Sequence, residues 1–227
     1  FSFVAVRVFM LFVMLALVVF ASMLAVLQNS RAMAIFGLGG GFLAPVLLST
    51  GAGNHVFLFS FYTILNFGVV GIAWYKAWRE LNLVGFYFTF VISAAWGLLR
   101  YQAEFFNSTE PFLLGFFLLY VMIAVLFAHR QAPKLKGYVD ASIVFGTPIV
   151  AFTMQAGMVK NIEYGLAISA LGLGAVYITL ASGLWRRQVA GMRLLTEAFL
   201  ALGILFLSLA IPLALSNQWT SASWGLE

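Results

Sequence analysis

Val8 to Leu27, read as VFMLFVMLALVVFASMLAVL, is twenty residues with no charge and a single serine. About 20 apolar residues at about 1.5 Å each match a hydrocarbon core of about 30 Å, so this run is predicted to cross a bilayer as a helix. A secretory leader would carry an apolar segment of about 7–15 residues behind a basic start, and the run fits neither condition. The rest of the chain is of the same kind. It is 63% hydrophobic and 8% charged, where soluble domains carry about 25% charged residues. The surrounding solvent is therefore expected to be lipid. The chain opens at Phe1 and closes on SASWGLE, which suggests an excerpt of a longer helical membrane protein.

Polar clusters divide the sequence into eight candidate spans, roughly 3–28, 32–48, 54–75, 81–100, 111–128, 138–158, 163–185 and 194–215. The runs are much longer than barrel strands and show no apolar–polar alternation, which excludes a membrane β-barrel. Short connections imply antiparallel neighbours. The expected fold is an all-α integral membrane protein, one polytopic bundle of about eight spans over residues 1–227.

The net charge of +5 invites a nucleic-acid reading until the charges are located. Lys76 and Arg79, then Arg130, Lys134 and Lys136, then Arg186, Arg187 and Arg193 fall in alternate connections. This is the pattern of cytoplasmic loops, so 76–80, 129–137 and 186–193 are expected inside, with no nucleic-acid partner. Span 32–48 is short, at 17 residues. If it crosses, Arg31 is cytoplasmic and Arg7 outside; if it is re-entrant, the two exchange places. Either way nine basic residues lie inside and three outside, so charge does not choose. Pro45, Pro148 and Pro212 each occupy the second half of a span that heads outward if span 32–48 crosses. APVLLST around Pro45 and TPIVAFT around Pro148 also suggest a diverged internal repeat.

Functional chemistry is sparse. With no cysteine there is no disulfide, thiolate nucleophile or thiolate-ligated metal. His55 and His129 are the two histidines, and the topology puts them on opposite sides, so no metal site and no cofactor is expected. Neither H-E-x-x-H nor G-x-S-x-G occurs. Asp140 after Lys136, Glu197 after Arg193, and Glu104 after Arg100 are each four residues apart, a spacing for ion pairs near the membrane surface. No charge falls clearly at mid-membrane. Trp74, Trp78, Trp185, Trp219 and Trp224 lie near span ends, as an aromatic belt requires.

The exception is FGLGGGFLAPVLLSTGAGNH, Phe36 to His55. It lacks the Lys-Ser/Thr of a P-loop and the spacing of a dinucleotide fold. Gly37 and Gly41 share a helix face and would admit a neighbouring helix; Gly68 with Gly71, and Ala170 with Gly174, offer similar small surfaces. Pro45 would free backbone groups that must be satisfied within the protein, as in the discontinuous helices of transporters. Asn54 is placed to cap the next helix. On that helix His55, Tyr62 and Asn66 recur at intervals of seven and four residues, one polar face that must meet protein or water. Two readings stay open for Pro45, Asn54, His55, Tyr62 and Asn66: interhelical hydrogen bonding, or a substrate cavity reached through Ser49–Asn54.

GGFLAPVLLSTGAGNHVFLFSFYTILNFGVVGIAWYKAWRELNLVGFYFTF, with GTPIVAFTMQAGMVKNIEYGLAISALGLGAVYITLA and IPLALSNQWTSASWGLE, resembles a group of bacterial polytopic membrane proteins known as domain of unknown function 2339. The resemblance runs from about residue 32 to the end. It implies a longer parent chain in the bacterial inner membrane, and it brings no activity and no catalytic residues. Three functions are compatible with these features. The first is a transport or envelope-translocation component with a site between the second and third spans. The second is a structural subunit that scaffolds other membrane or envelope proteins. The third is part of an enzyme for a lipid-linked substrate, with its active site elsewhere. The expected partners are membrane lipids, further helices of the same chain, and such envelope proteins.

Overall fold

A computed structural model describes residues 2–47, 54–76, 78–130, 138–187 and 192–224. Among them are eight α-helices: α1 Ser2–Leu27, α2 Arg31–Leu47, α3 His55–Tyr75, α4 Arg79–Arg100, α5 Phe106–Arg130, α6 Tyr138–Met158, α7 Gly165–Arg187 and α8 Arg193–Trp224. A single 3-10 turn, Ala103–Phe105, leads into α5. Six helices, α3 to α8, are long and apolar enough to cross a membrane by length and composition. The protein is a multi-pass, all-helical membrane protein. At 17 residues α2 is short.

The helices form two compact units, residues 1–127 and 128–227. In unit 1, α1 turns back into α2 through Asn29, whose φ of 53° is the left-handed conformation that ends a helix. The Ser30 amide bonds the Ala25 carbonyl at 2.9 Å, and the Ser30 hydroxyl accepts from the Met33 amide at 3.4 Å. Asn-Ser thus closes one helix and caps the next. The two helices then touch through small residues. A Cβ on Gly41 would stand 2.7 Å from Val18 Cγ2, and one on Gly37 would stand 3.2 Å from Ala21 Cβ. Gly40, between them, has open space.

The Arg31 guanidinium meets the Glu80 carboxylate at 3.5 Å, and Lys76 Nζ donates to Asn29 Oδ1 at 3.1 Å. The α1–α2 turn therefore sits at the same end of unit 1 as the α3–α4 connection. From there α2 runs antiparallel to α3, and its Phe42 reaches the level of Tyr62, seven residues into α3. It also runs alongside α4, where Phe42 stacks on Phe88 with ring centroids 5.7 Å apart. Leu38 and Phe42 of this short helix are fully buried.

In unit 2 the α6–α7 turn places Tyr164 at φ 55°, and Gly165 follows where a Cβ would meet Val159 Cβ at 2.9 Å. α7 and α8 pack antiparallel through reciprocal glycines. A Cβ on Gly174 would lie 2.7 Å from Leu207 Cγ and 3.1 Å from its backbone nitrogen. A Cβ on Gly203 would lie 2.8 Å from Ile178 Cγ1 and 3.1 Å from its backbone nitrogen. Tyr177, fully buried, fills the seam against Phe199 at 5.3 Å and Phe206 at 6.5 Å. Arg193 and Glu197 form their ion pair, Nε to Oε1, at 2.8 Å. The loop Ser49–Gly53 and the Lys136–Asp140 pair lie outside the residues or side chains described, as does the His129 ring.

Candidate functional site

Unit 1 holds a column of polar side chains between α3, α4 and α5, with α2 beside it; the discontinuity expected at Pro45 is not seen, α2 being helical from Arg31 to Leu47. At the end opposite Arg31, Asn54 adopts extended geometry (φ −72°, ψ 126°) and its Oδ1 accepts from the Val56 amide at 2.9 Å. This N-cap fixes where α3 begins, and so fixes His55 as its first helical residue. His55 is half-buried, with Nε2 at 2.7 Å from Ser108 Oγ. Its ring is walled by Phe105 at 4.7 Å and Trp96 at 5.1 Å, with Phe59 at 6.4 Å. The Ser108 hydroxyl donates to the Phe105 carbonyl at 3.0 Å. Nearby Tyr101 is held above the ordinary phenol range by burial first and by the Glu110 carboxylate second. It therefore stays neutral through the physiological range.

Two turns into α3, Tyr62 is fully buried and its hydroxyl donates to the Phe42 carbonyl at 3.0 Å. Pro45 supplies no N–H to the Gly41 carbonyl four residues back. The Tyr62 hydroxyl thus meets the backbone of α2 one residue from the carbonyl that proline leaves without its usual donor. The bond goes to Phe42 and not to Gly41, so Tyr62 holds α2 against α3 without replacing the donor that Pro45 removes.

One turn further, Asn66 makes the densest polar contact of unit 1. Its Nδ2 donates to the Tyr62 carbonyl at 2.9 Å and to Thr89 Oγ1 at 2.9 Å. Its Oδ1 accepts from the Tyr120 hydroxyl at 2.6 Å and lies 3.1 Å from Thr89 Oγ1. Thr89 and Tyr120 close the triangle at 3.3 Å. Both amide hydrogens and the amide oxygen are in use, and Asn66, Thr89 and Tyr120 are each fully buried. Gly85, one turn before Thr89, makes room: a Cβ there would stand 2.8 Å from the Tyr120 hydroxyl. Phe86 and Phe90 bracket the Tyr120 ring at 5.5 and 5.6 Å.

The five residues singled out from sequence therefore divide. Asn54 and His55 stand at one end, Tyr62 meets Phe42 of α2 rather than Pro45, and Asn66 is bound into α4 and α5. Sequence reasoning missed Thr89, Tyr120, Gly85 and Ser108. A signal existed for the first: Asn82, Thr89 and Ser93 recur at seven and four residues on an otherwise apolar α4, and all three are buried. Asn82 Oδ1, Ser93 Oγ and Thr109 Oγ1 have no hydrogen-bond partner among the described residues. No group of three or more His, Asp or Glu side chains capable of holding a metal ion occurs among the described residues.

The family profile described as "Predicted membrane protein (DUF2339)" matches residues 4–227. No curated protein and no solved structure matches the chain. The chain belongs to this membrane-protein family.

Proposed function

We propose that this member of the family is a transport or envelope-translocation component of a bacterial inner membrane, with a ligand engaged between α2 and α3 at the end where α3 begins. The observation that carries the reading is Pro45 inside α2, a helix that runs unbroken from Arg31 to Leu47. A helix of 17 residues with Gly41 and Pro45 in its second half is kept inside the unit, and its backbone is met by the Tyr62 hydroxyl. Pro45 leaves the Gly41 carbonyl without its usual amide donor, a backbone group within the membrane that a ligand can meet. Asn54, exposed, and His55, half-buried, flank the approach. The Arg31–Glu80 and Lys76–Asn29 contacts favour a crossing α2, which gathers Arg31, Lys76 and Arg79 at one end, taken as cytoplasmic with loops 129–137 and 186–193.

A second reading, a structural subunit that scaffolds other helices or envelope proteins, is favoured by the saturation of Asn66. An amide with every hydrogen bond used has nothing left for a ligand. Native mass spectrometry of the protein gently extracted from its membrane separates the two. The transport reading expects a defined bound metabolite, glycan or lipid that is lost in Asn54→Ala while the fold persists. Bulk lipid with a stoichiometric protein partner, unchanged in Asn54→Ala, contradicts it and supports the scaffold.

A further inference from the structure

We infer that Arg31, Lys76 and Arg79 form a binding site for the phosphodiester headgroup of an anionic membrane lipid at one end of unit 1. The site lies at the opposite end of α3 from Asn54, so it does not rest on the transport reading. Three separate segments build it. The α1–α2 turn brings Asn29 and Arg31, the end of α3 brings Lys76, and the start of α4 brings Arg79 and Glu80. Lys76 Nζ on Asn29 Oδ1 at 3.1 Å, and Arg31 on Glu80 at 3.5 Å, tie these segments together. The Arg79 guanidinium carbon lies 5.1 Å from the centre of the Phe127 ring, a cation–π contact that holds it at the same end.

The charges gathered here do not cancel. Among the described side chains of this cluster, three cations stand against the single carboxylate of Glu80, and Lys76 gives its hydrogen bond to a neutral amide. An ammonium carries three donors and a guanidinium five, so one contact apiece leaves Lys76 and Arg31 with donors to spare. The 3.5 Å of the Arg31–Glu80 pair is long beside the roughly 2.7–2.9 Å of a strong charge-assisted bond. Both of its side chains are more than half exposed, at 63% and 52%, so the pair is open to a competing anion. A phosphodiester offers one negative charge on two free oxygens, which suits a guanidinium fork beside the point charge of a lysine.

The ends of the spans set the depth. α3 and α4 are both candidate spans, one ending at Tyr75 and the other beginning at Arg79. At 21 residues and about 1.5 Å each, α3 is as long as a hydrocarbon core of about 30 Å, so its short connection to α4 emerges among headgroups. Trp74 and Tyr75, 54% and 74% exposed, occupy the last turn of α3, where amphipathic rings belong at the membrane surface. An acidic protein segment offers carboxylates to the same cations, but it would have to displace the headgroups that share their depth. The lipid is therefore the favoured occupant.

The test is native mass spectrometry of the full chain in detergent micelles, titrated with phosphatidylglycerol or with phosphatidylcholine of the same acyl chains. The expected result is a phosphatidylglycerol adduct retained at concentrations where phosphatidylcholine is lost. Arg31→Gln and Lys76→Gln should each weaken it about 5-fold, the contribution of one basic residue near a membrane surface. Glu80→Gln should tighten it by removing the competing carboxylate, a sign that damage to the fold would not produce. Arg186→Gln takes the same charge from unit 2 and should leave the affinity unchanged. Equal retention of the two lipids overturns the proposal, as does an equal loss in Arg186→Gln or weaker binding in Glu80→Gln. Inorganic phosphate in excess should leave the lipid in place; displacement would assign the cations to a free anion and overturn the headgroup.

Discussion

Around Asn66, three helices of unit 1 are joined by side chains that reach across to one another, whereas α7 and α8 of unit 2 are joined by the absence of side chains at Gly174 and Gly203. In lipid there is no hydrophobic drive to bring apolar helices together, so association rests on close packing and on interhelical hydrogen bonds. Unit 2 uses the first: backbone approaches side chain and backbone at two reciprocal points, and Tyr177 fills the seam. Unit 1 uses both, with Gly37 and Gly41 between α1 and α2, and Asn66, Thr89 and Tyr120 between α3, α4 and α5. The difference teaches where function can reside. An apolar glycine seam offers no chemistry. A polar core offers chemistry only where its groups are not consumed by one another, and in unit 1 the Asn82, Ser93 and Thr109 side chains keep oxygen atoms without a partner among the described residues.

The comparison breaks most visibly at the glycine seam. Gly203→Ile should destabilise unit 2 by about 3 kcal/mol, the upper part of the overpacking range. Both the Ile178 side chain and its backbone nitrogen stand in the way. Reversible unfolding in mixed lipid–detergent micelles reads the loss, and a change below about 0.5 kcal/mol would mean the seam is loosely packed. Asn66→Leu comes next, at about 2 kcal/mol, because the Thr89 and Tyr120 hydroxyls lose their partner inside the bundle. Tyr62→Phe should cost about 1 kcal/mol by the same assay, the worth of one buried hydrogen bond to the backbone of α2.

Smaller effects sharpen the contrast within a single motif. Gly40→Ala meets nothing within 4 Å and should stabilise α2 by about 0.5–1 kcal/mol through helix propensity. Gly41→Ala, one residue on, should destabilise, because Val18 is branched at Cβ and cannot easily turn away. Opposite signs at adjacent glycines, read in one unfolding series, would separate contact from propensity. Glu197→Gln should change stability least, by about 0.3–0.5 kcal/mol, since its partner Arg193 is largely exposed.

The helical class was legible because long uncharged runs admit no other solution in lipid. The Asn54 cap was legible because an asparagine before a periodic run has one common use. Legibility failed where partners come from afar. Asn66 and Tyr120 are 54 residues apart, and no spacing rule connects them. The same holds for glycines. Gly68 and Gly71 looked like a packing face, yet a Cβ at either would meet nothing within 4 Å. Gly85 and Gly203, which carried no pattern of their own, are as tight as Gly41 and Gly174, which did. A glycine is informative only once its opposite helix is known. Ser108 was hidden in a short polar stretch, NSTE, and became notable only when α5 brought it to His55.

The account rests most heavily on the claim that Asn66, Thr89 and Tyr120 act as one closed hydrogen-bonded unit that fixes α3, α4 and α5. A double-mutant cycle of Asn66→Leu and Tyr120→Phe, measured by reversible unfolding in lipid, tests it directly. A coupling of about 1 kcal/mol, within the range found for interhelical hydrogen bonds in membranes, is the predicted result. Strict additivity of the two substitutions would contradict it and return Asn66 to the residues free to meet a ligand.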